Sequence, residues 1–201
     1  MNNGDKTILD LCGGTGAWSN PYKIAGYDVR IITLPDNDVR LYVPPDNVYG
    51  ILAAPPCTHL AVSGARWWKG KGESALLEAL AVVDACLRII FRCASTFWAL
   101  ENPCGRLPRY IGKYRYTFQP YEYGDPWTKR TCIWGKHNIP IKQPIKLVGQ
   151  WTRRADCKGI VDHYEYLPPD WVHKLPPSPN RALLRSVTAP GFAKAFYEAN
   201  R

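Results

Sequence analysis

Three short polar stretches of this sequence carry side chains that can do chemistry, and each follows an apolar run. Cys57 follows two prolines in "GILAAPPCTH", Glu101 follows "TFWAL", and a glycine loop (Gly13, Gly14, Gly16) follows "TILDLC". A thiol acts as a nucleophile when its surroundings lower its pKa. A carboxyl group at the end of an apolar strand is partly desolvated, which raises its pKa and lets it share a proton with a bound base. A glycine loop lets the backbone approach a ligand closely.

Each of these features also has a purely structural interpretation. The glycine loop is not G-x-G-x-x-G, so a nicotinamide cofactor has no support, and an ordinary tight turn would use the same residues. Glu101 could pair with one of the many arginines. Free cysteines are commonly small buried hydrophobic groups, and Cys86 and Cys93, inside a helical pattern, are interpreted in that way. Cys57 differs because polar residues flank it at a strand end.

The elements that would position these residues alternate in type. The apolar runs of residues 7–11, "GYDVRIITLP", "VYGILAAPP" and "TFWALENP" predict four strands, and the apolar spacing of residues 73–94 predicts a helix. This alternation is typical of an α/β fold with a mostly parallel sheet, whose ligands bind beyond the carboxyl ends of the strands. The three polar stretches would then meet at one edge.

Beyond residue 110 the sequence changes in character. The stretch "YRYTFQPYEYGDPWTKRTCIWG" is aromatic and predicts a hairpin or two further strands, whereas residues 135–179 predict mostly loop. The final "GFAKAFYEANR" predicts a short closing helix.

Composition limits the class of protein. The chain has 201 residues, of which 46% are hydrophobic, and a formal net charge of +9, which favours a polyanionic partner. No signal peptide and no apolar run of 18 residues is present, so no membrane partner is expected. Seven cysteines without a C-x-x-C pair fit reduced thiols in a cytoplasm better than a disulfide framework or zinc ribbon.

The motifs follow a recognisable order. "DLCGGTGAWS" is followed by Asp38 in "NDV", "PPCTHLAVSGARWWKGKGE", Glu101-Asn102, "YGDPWTKRTCIWG" and the closing helix. Together they resemble the motifs of the cysteine-dependent cytosine-5 DNA methyltransferases over about residues 8–135 and the last dozen. Cys12 stands where that family has an aromatic residue. The chain is identified as a small, phage-like member, which would place it in the host cytoplasm if it is phage-encoded.

This resemblance implies a Rossmann-like fold that binds S-adenosylmethionine and transfers its methyl group to C5 of cytosine in DNA. Cys57 would attack C6 as a thiolate, Glu101 would hold and protonate N3, and Arg130 (or Lys129, if the alignment slips by one) would be the base-pocket cation. The target base has to be flipped out or single-stranded. The implied cofactor-binding residues are Asp10, Cys12, Gly13, Gly14, Gly16, Trp18, Asp38 and Pro55, and the implied substrate-binding residues are Pro56, Ser63, Arg66, Lys69, Lys71 and Asn102.

The chain also departs from the family pattern. Its second strand lacks the usual ribose-binding acid and the following helix, although Asp36 or Asp38 could substitute. We expect a catalytic core over residues 1–135, a short basic lobe over 136–186 with little sequence readout, and a helix over 187–201 that returns to the core. The lobe's cations are Arg153, Arg154, Lys158 and Lys174, and no metal site is predicted because Cys157, His163 and His137 match no usual zinc spacing.

Several alternatives stay open at the level of sequence. The same chemistry could act on single-stranded nucleic acid, RNA or a free nucleotide, or transfer a different group to C5. A catalytically idle nucleic-acid-binding relative would share the charge and most of the motifs. The target sequence and the oligomeric state are not encoded in any motif.

Overall fold

A six-stranded, mostly parallel sheet forms the centre of this α/β protein. The computed structural model describes residues 2–156 and 159–201, with side chains for 2–151 and 166–201. The strand order is β2-β1-β3-β4-β6-β5, in which the first four strands run parallel and β6 is antiparallel to both of its neighbours. The strands are β1 (Thr7–Leu11), β2 (Asp28–Ile32), β3 (Val48–Ala53), β4 (Phe97–Pro103), β5 (Tyr116–Phe118) and β6 (Thr131–Lys136).

The helices cover both faces of this sheet. They are α1 (Asn20–Ile24), α2 (Trp68–Arg92), α3 (Pro108–Ile111), α4 (Trp171–Lys174), α5 (Arg181–Ser186) and α6 (Pro190–Ala199). α2 packs on one face, where Val83 and Ile89 meet Leu9 and Ile51 in one apolar cluster. α1 and α6 pack on the other face, where the second cluster includes Ile8 and Leu52. Because β1 and β3 are buried on both faces, they read in the sequence as continuous apolar runs rather than alternating ones.

The predicted elements of the first half of the chain are confirmed. All four predicted strands form, and α2 becomes regular after Gly72, which has φ +74, so its regular part begins at Glu73 as its apolar spacing indicates. The expected gap after the second strand is also present, because residues 33–47 contain no helix. α6 confirms the closing helix. No helix in the described part of the chain is long and apolar enough to cross a bilayer.

The prediction of mostly loop for residues 135–179 is wrong. This region contains an antiparallel pair of strands, β7 (Gln150–Asp156) and β8 (Gly159–Leu167), separate from the main sheet. The sequence of these strands is rich in aromatic and β-branched residues, as "WT" and "GIVDHYEY" show, and such residues favour strands even among many charges. The flanking prolines at 140, 144, 168 and 169 hid this signal.

α6 is fastened to the sheet by aromatic stacking. The ring of Phe192 is fully buried and lies parallel to that of Phe118 on β5, with centroids 3.7 Å apart. Phe196 is also fully buried and meets Trp18 edge-on at 5.4 Å. The ten residues of α6 therefore complete the core beside the glycine loop.

Truncating the Phe192 ring tests this contribution. We expect Phe192→Ala to lower the free energy of unfolding by about 3–5 kcal/mol, because a fully buried ring is lost and a cavity remains. Phe91 on α2 is 74% exposed and serves as the matched control, for which a loss below about 1 kcal/mol is expected. Urea denaturation gives both values. Equal losses in the two variants would contradict the role assigned to α6.

Candidate active site

A cleft that is partly open to solvent lies where β1, β3 and β4 end. We call it the first cleft. Among its lining residues are many of those predicted from the sequence, namely Asp10, Cys12, Gly13, Gly14, Trp18, Pro55, Pro56, Cys57 and Glu101. Lys129, the alternative to Arg130 as the base-pocket cation, also lines it, and residues that were not predicted complete the wall, among them Thr15, Arg185, Ser186 and Thr188. The carboxyl edge of the parallel strands thus brings the three polar stretches together, as expected for this class of sheet.

Asp10, at the end of β1, forms the floor of the first cleft. Its side chain is fully buried, and Ser19 Oγ donates a 2.5 Å hydrogen bond to its Oδ2. Oδ1 has no hydrogen-bond partner among the described residues. Burial raises the pKa of Asp10 to about 6, against the hydrogen bond from Ser19, and the nearby charge of Glu101 adds to the increase. The carboxyl is therefore poised to accept a hydrogen bond from a ligand.

The glycine loop curls tightly around this carboxyl. A Cβ on Gly13 would lie 2.3 Å from Asp10 Cγ, so only glycine fits there. Cys12, which lines the first cleft, turns the chain out of β1 with φ +58. Gly16, with φ +72, packs near Ile31 and does not line the first cleft, so it shapes the turn rather than contacting a ligand there.

Trp18 provides a second polar atom without a partner. Its ring is buried and held against α6, while Nε1 finds no acceptor among the described residues. Besides Glu101, described below, the first cleft is thus lined by Asp10 with a buried acceptor and Trp18 with a buried donor, each without a partner among the described residues. Buried polar groups are normally paired, so these two favour a ligand that carries both donors and acceptors.

Cys57 is fixed by its backbone at the end of β3. Asn102 Nδ2 donates a 2.8 Å hydrogen bond to the Pro55 carbonyl, and the N–H groups of Leu60 and Ala61 both donate to the Cys57 carbonyl at 2.9 Å. Asn102, predicted to bind substrate, is fully buried and lines neither this cleft nor the second cleft described below. In this structure it supports the strand end that carries the thiol.

The thiol and the carboxyl of Glu101 share a desolvated environment. Burial raises the pKa of the Cys57 thiol, and the charge of Glu101 raises it further, whereas Lys129 and Arg185 lower it. Burial also raises the pKa of Glu101, which Lys129 partly offsets. Glu101 Oε2 is buried with no partner among the described residues. Both groups therefore favour their neutral, proton-carrying forms.

A second, larger cleft meets the first at the thiol. It is lined by Cys57, Ala61, Val62, Ser63, Pro103, Cys104, Gln119, Thr128, Lys129, Arg130, Val172, His173 and Arg185. Lys129 lines both clefts, whereas the exposed Arg130 lines only the second. The cation beside Glu101 and Cys57 is thus Lys129, one residue before the predicted Arg130.

The basic loop after Cys57 is divided between the site and the surface. Ser63 lines the second cleft, but the exposed Arg66, Lys69 and Lys71 line neither cleft. The Arg66 guanidinium lies 4.9 Å from the ring centroid of Trp67, which is 56% exposed, so Trp67 is not a core residue.

Asp38 is not brought to the site. It pairs with Arg40 at 2.5 Å on the connection between β2 and β3 and lines neither cleft. That hydrogen-bonded pairing holds the pKa of Asp38 below its usual range. The predicted cofactor contact through Asp38 therefore has no geometric support.

The structure describes only part of the predicted basic lobe. The side chains of Arg153, Arg154, Lys158, Cys157 and His163 lie outside the described residues. Lys174 is described and pairs with Asp170 at 3.0 Å. Within the described residues no group of three or more His, Cys, Asp or Glu side chains is arranged to hold a metal ion.

Sequence reasoning missed the residues that reach the site from far along the chain. Arg185 and Thr188 lie just before α6, and His173 lies in α4. Their one sequence signal is position, since "RALLRSVTAP" directly precedes the helix expected to return to the core.

The raised pKa of Asp10 predicts a pH-dependent stability. The folded protein holds a proton on Asp10 up to about pH 6, whereas the unfolded chain releases it near pH 3.8, so burying this carboxylate costs stability as the pH rises between these values. Asparagine removes the charge while its oxygen can still accept from Ser19. The stability of Asp10→Asn relative to wild type should therefore increase by up to about 3 kcal/mol from pH 4 to pH 7. Thermal unfolding across this range, with exposed Asp36→Asn as control, checks it, and a constant difference would contradict it.

No protein-family model matches this sequence, and no curated protein sequence matches it significantly. The chemistry of the site itself is therefore what bears on its function.

Proposed function

We propose that this protein is a DNA cytosine-5 methyltransferase that uses S-adenosylmethionine and the thiol of Cys57. The observation that carries the proposal is that Cys57, the buried carboxyl of Glu101 and the glycine loop after β1 line one cleft. A nucleophile, a proton donor and a cofactor loop are the three parts that the reaction requires. The order of the motifs along the chain supports the same assignment, including a Rossmann-like methyltransferase fold.

The polar atoms of the first cleft fit the methionine end of S-adenosylmethionine. That end carries an ammonium group, which can donate to Asp10 Oδ1, and a carboxylate, which can accept from Trp18 Nε1. Both protein atoms are buried and lack partners among the described residues. When bound, the cofactor supplies an electrophilic methyl group. With Asp38 elsewhere, neither cleft contains the acid expected to hold the ribose.

Cys57 performs the first bond-forming step. Its thiol gives its proton to solvent water, which Lys129 and Arg185 favour electrostatically, and Sγ then bonds to C6 of the cytosine. Glu101 gives a proton to N3, so that negative charge does not build up in the ring. Burial raises the pKa of Glu101 and so favours the protonated carboxyl that this step uses. C5 thereby becomes electron-rich enough to take a methyl group.

Elimination of the Cys57 thiolate then restores the aromatic cytosine ring. Transfer of the C5 proton to solvent water expels the Cys57 thiolate and breaks the bond to C6, while N3 returns its proton to Glu101. Burial of the thiol and the carboxyl favours their neutral forms at the start and end of this cycle.

The second cleft is the proposed entrance for the base. It joins the first cleft at Cys57 and carries Arg130 at its rim, while Arg66 and the exposed Trp67 lie on the loop that borders it. Cations for phosphates and an exposed ring for stacking suit a flipped-out or single-stranded nucleotide. The alternatives of an RNA, a free nucleotide or a catalytically idle binder predict different outcomes in the two tests below.

The covalent step is tested by trapping. DNA containing 5-fluorocytosine, incubated with S-adenosylmethionine, should yield a covalent adduct because fluorine cannot leave C5 as a proton. Cys57→Ser should abolish the adduct while retaining the fold. Cys86→Ser, which changes a fully buried thiol on α2, should lose about 1–3 kcal/mol of stability but form the adduct normally per folded molecule. Denaturing electrophoresis gives the result. An adduct that survives in Cys57→Ser would refute the mechanism, and no adduct in the wild type would favour the idle binder or another substrate.

The substrate class is tested by salt dependence. If the exposed lysines after Cys57 contact phosphates, DNA affinity should fall steeply with salt, and reversing Lys69 and Lys71 to glutamate should weaken all sequences alike. The slope of log affinity against log salt should shrink by about 1–2. Reversing exposed Lys23 and Lys136, on α1 and β6, controls for net charge. Affinity that does not respond to salt would indicate a nucleotide-sized substrate instead.

A further inference from the structure

Arg185 occupies the junction of the two clefts although it lies 128 residues beyond Cys57 in the sequence. Four residues line both clefts, namely Cys57, Pro103, Lys129 and Arg185. Arg185 lies near the end of α5 and is half-buried, so its guanidinium is held in the wall rather than free in solvent. It is the one member of the four that comes from the C-terminal part of the chain.

Arg185 also contacts the loop that follows Cys57. Its Nη2 donates a 3.2 Å hydrogen bond to Ser63 Oγ, in the 3₁₀ turn Val62–Trp67. The start of this turn is fixed separately, because the Val62 N–H donates to the Cys104 carbonyl at 2.8 Å. Beyond Ser63 the turn is exposed at Arg66 and Trp67. Among the side-chain hydrogen bonds of the described residues, that of Arg185 therefore joins this turn to the C-terminal segment.

We propose that Arg185 is a positioning residue of the candidate active site, which clasps the loop after Cys57 through Ser63 and holds a permanent positive charge beside the thiol. This inference rests on the proposed function in one respect, that Cys57 is the nucleophile. The two effects belong to one side chain because a guanidinium presents several donors while it remains charged at all working pH values.

The charges around Cys57 explain why such a cation matters. Glu101 on β4 faces the first cleft and opposes a thiolate, whereas Lys129, before β6, favours it. Asp10 on β1 also faces the first cleft. Arg130 and His173 face the second cleft. Burial itself raises the pKa of the Cys57 thiol. With desolvation and Glu101 acting against ionisation of the thiol, Lys129 favours the thiolate and Arg185 supplies a second cation.

The proposal is tested by the pH dependence of thiol alkylation, which needs neither DNA nor cofactor. Iodoacetamide modification is followed by mass spectrometry on the tryptic peptide of residues 41–66, in which Cys57 is the one cysteine. Because iodoacetamide reacts with thiolate, Arg185→Gln should move the midpoint of the pH–rate profile upward by about half to one unit and slow alkylation at pH 7.5 about 3- to 10-fold. Arg185→Lys should restore most of the midpoint because it keeps the charge.

Two further variants separate the charge from the clasp. Ser63→Ala removes the acceptor and should leave the midpoint unchanged, but it should speed tryptic cleavage at Arg66, Lys69 and Lys71 by about 3-fold, as Arg185→Gln should also do. Lys136→Gln removes one charge at the far end of β6 and should change neither measurement. An Arg185→Gln profile identical to that of Lys136→Gln would overturn the charge role. Unchanged cleavage in both Ser63→Ala and Arg185→Gln would overturn the clasp.

The outcome is separable from that of the proposed function. If the wild type forms no adduct with 5-fluorocytosine DNA but Arg185→Gln still shifts the alkylation midpoint, the methyltransferase proposal fails and the electrostatic role of Arg185 stands. If the wild type forms the adduct and Arg185→Gln matches it in rate, alkylation profile and cleavage, only the inference about Arg185 fails.

Discussion

One buried hydrogen bond determines where the thiol lies. The amide of Asn102, at the end of β4, donates to the carbonyl of Pro55, at the end of β3. Neither proline after β3 can donate to a neighbouring strand, so this bond replaces ladder pairing at the point where the sheet stops. It joins two strand ends and thereby holds Cys57 on the same cleft as Glu101, the residue next to Asn102.

Desolvation sets the chemical character of the site. Asp10, Glu101 and Cys57 all have raised pKa values because burial disfavours their charged forms. Burying the two carboxyl groups lowers the stability of the folded chain at neutral pH, and the surrounding core offsets that cost. At the thiol, Lys129 and Arg185 partly offset the effect of burial, because they lie close enough to lower its pKa. The site combines proton-carrying groups with nearby positive charge, which suits a reaction that forms and then expels a thiolate.

Residues from near the start and near the end of the chain together form one wall of the first cleft. Trp18, from the turn after β1, packs edge-on against Phe196 of α6, and α6 also stacks on β5 through Phe192. The same C-terminal segment delivers Thr188 and Arg185 to the first cleft. Packing of aromatic rings in the core therefore fixes residues whose importance is electrostatic, which links the stability of the fold to the geometry of the site.

The sequence by itself determined the central sheet and the residues at its carboxyl edge. Buried parallel strands must be continuously apolar, and glycine, proline and polar residues mark their ends, so β1, β3, β4 and the positions of Cys57 and Glu101 could be predicted. The strands β7 and β8 were missed because prolines and charges masked a strand signal of aromatic and β-branched residues.

Which cations lie beside the thiol depends on the tertiary structure. Lys129 rather than the neighbouring Arg130 lies beside Glu101, Arg185 arrives from α5, and Asp38 pairs with Arg40 instead of lining the cleft. Local sequence cannot specify such choices, because the rotation of one strand residue or the path of a distant segment places a charge in the cleft or in solvent.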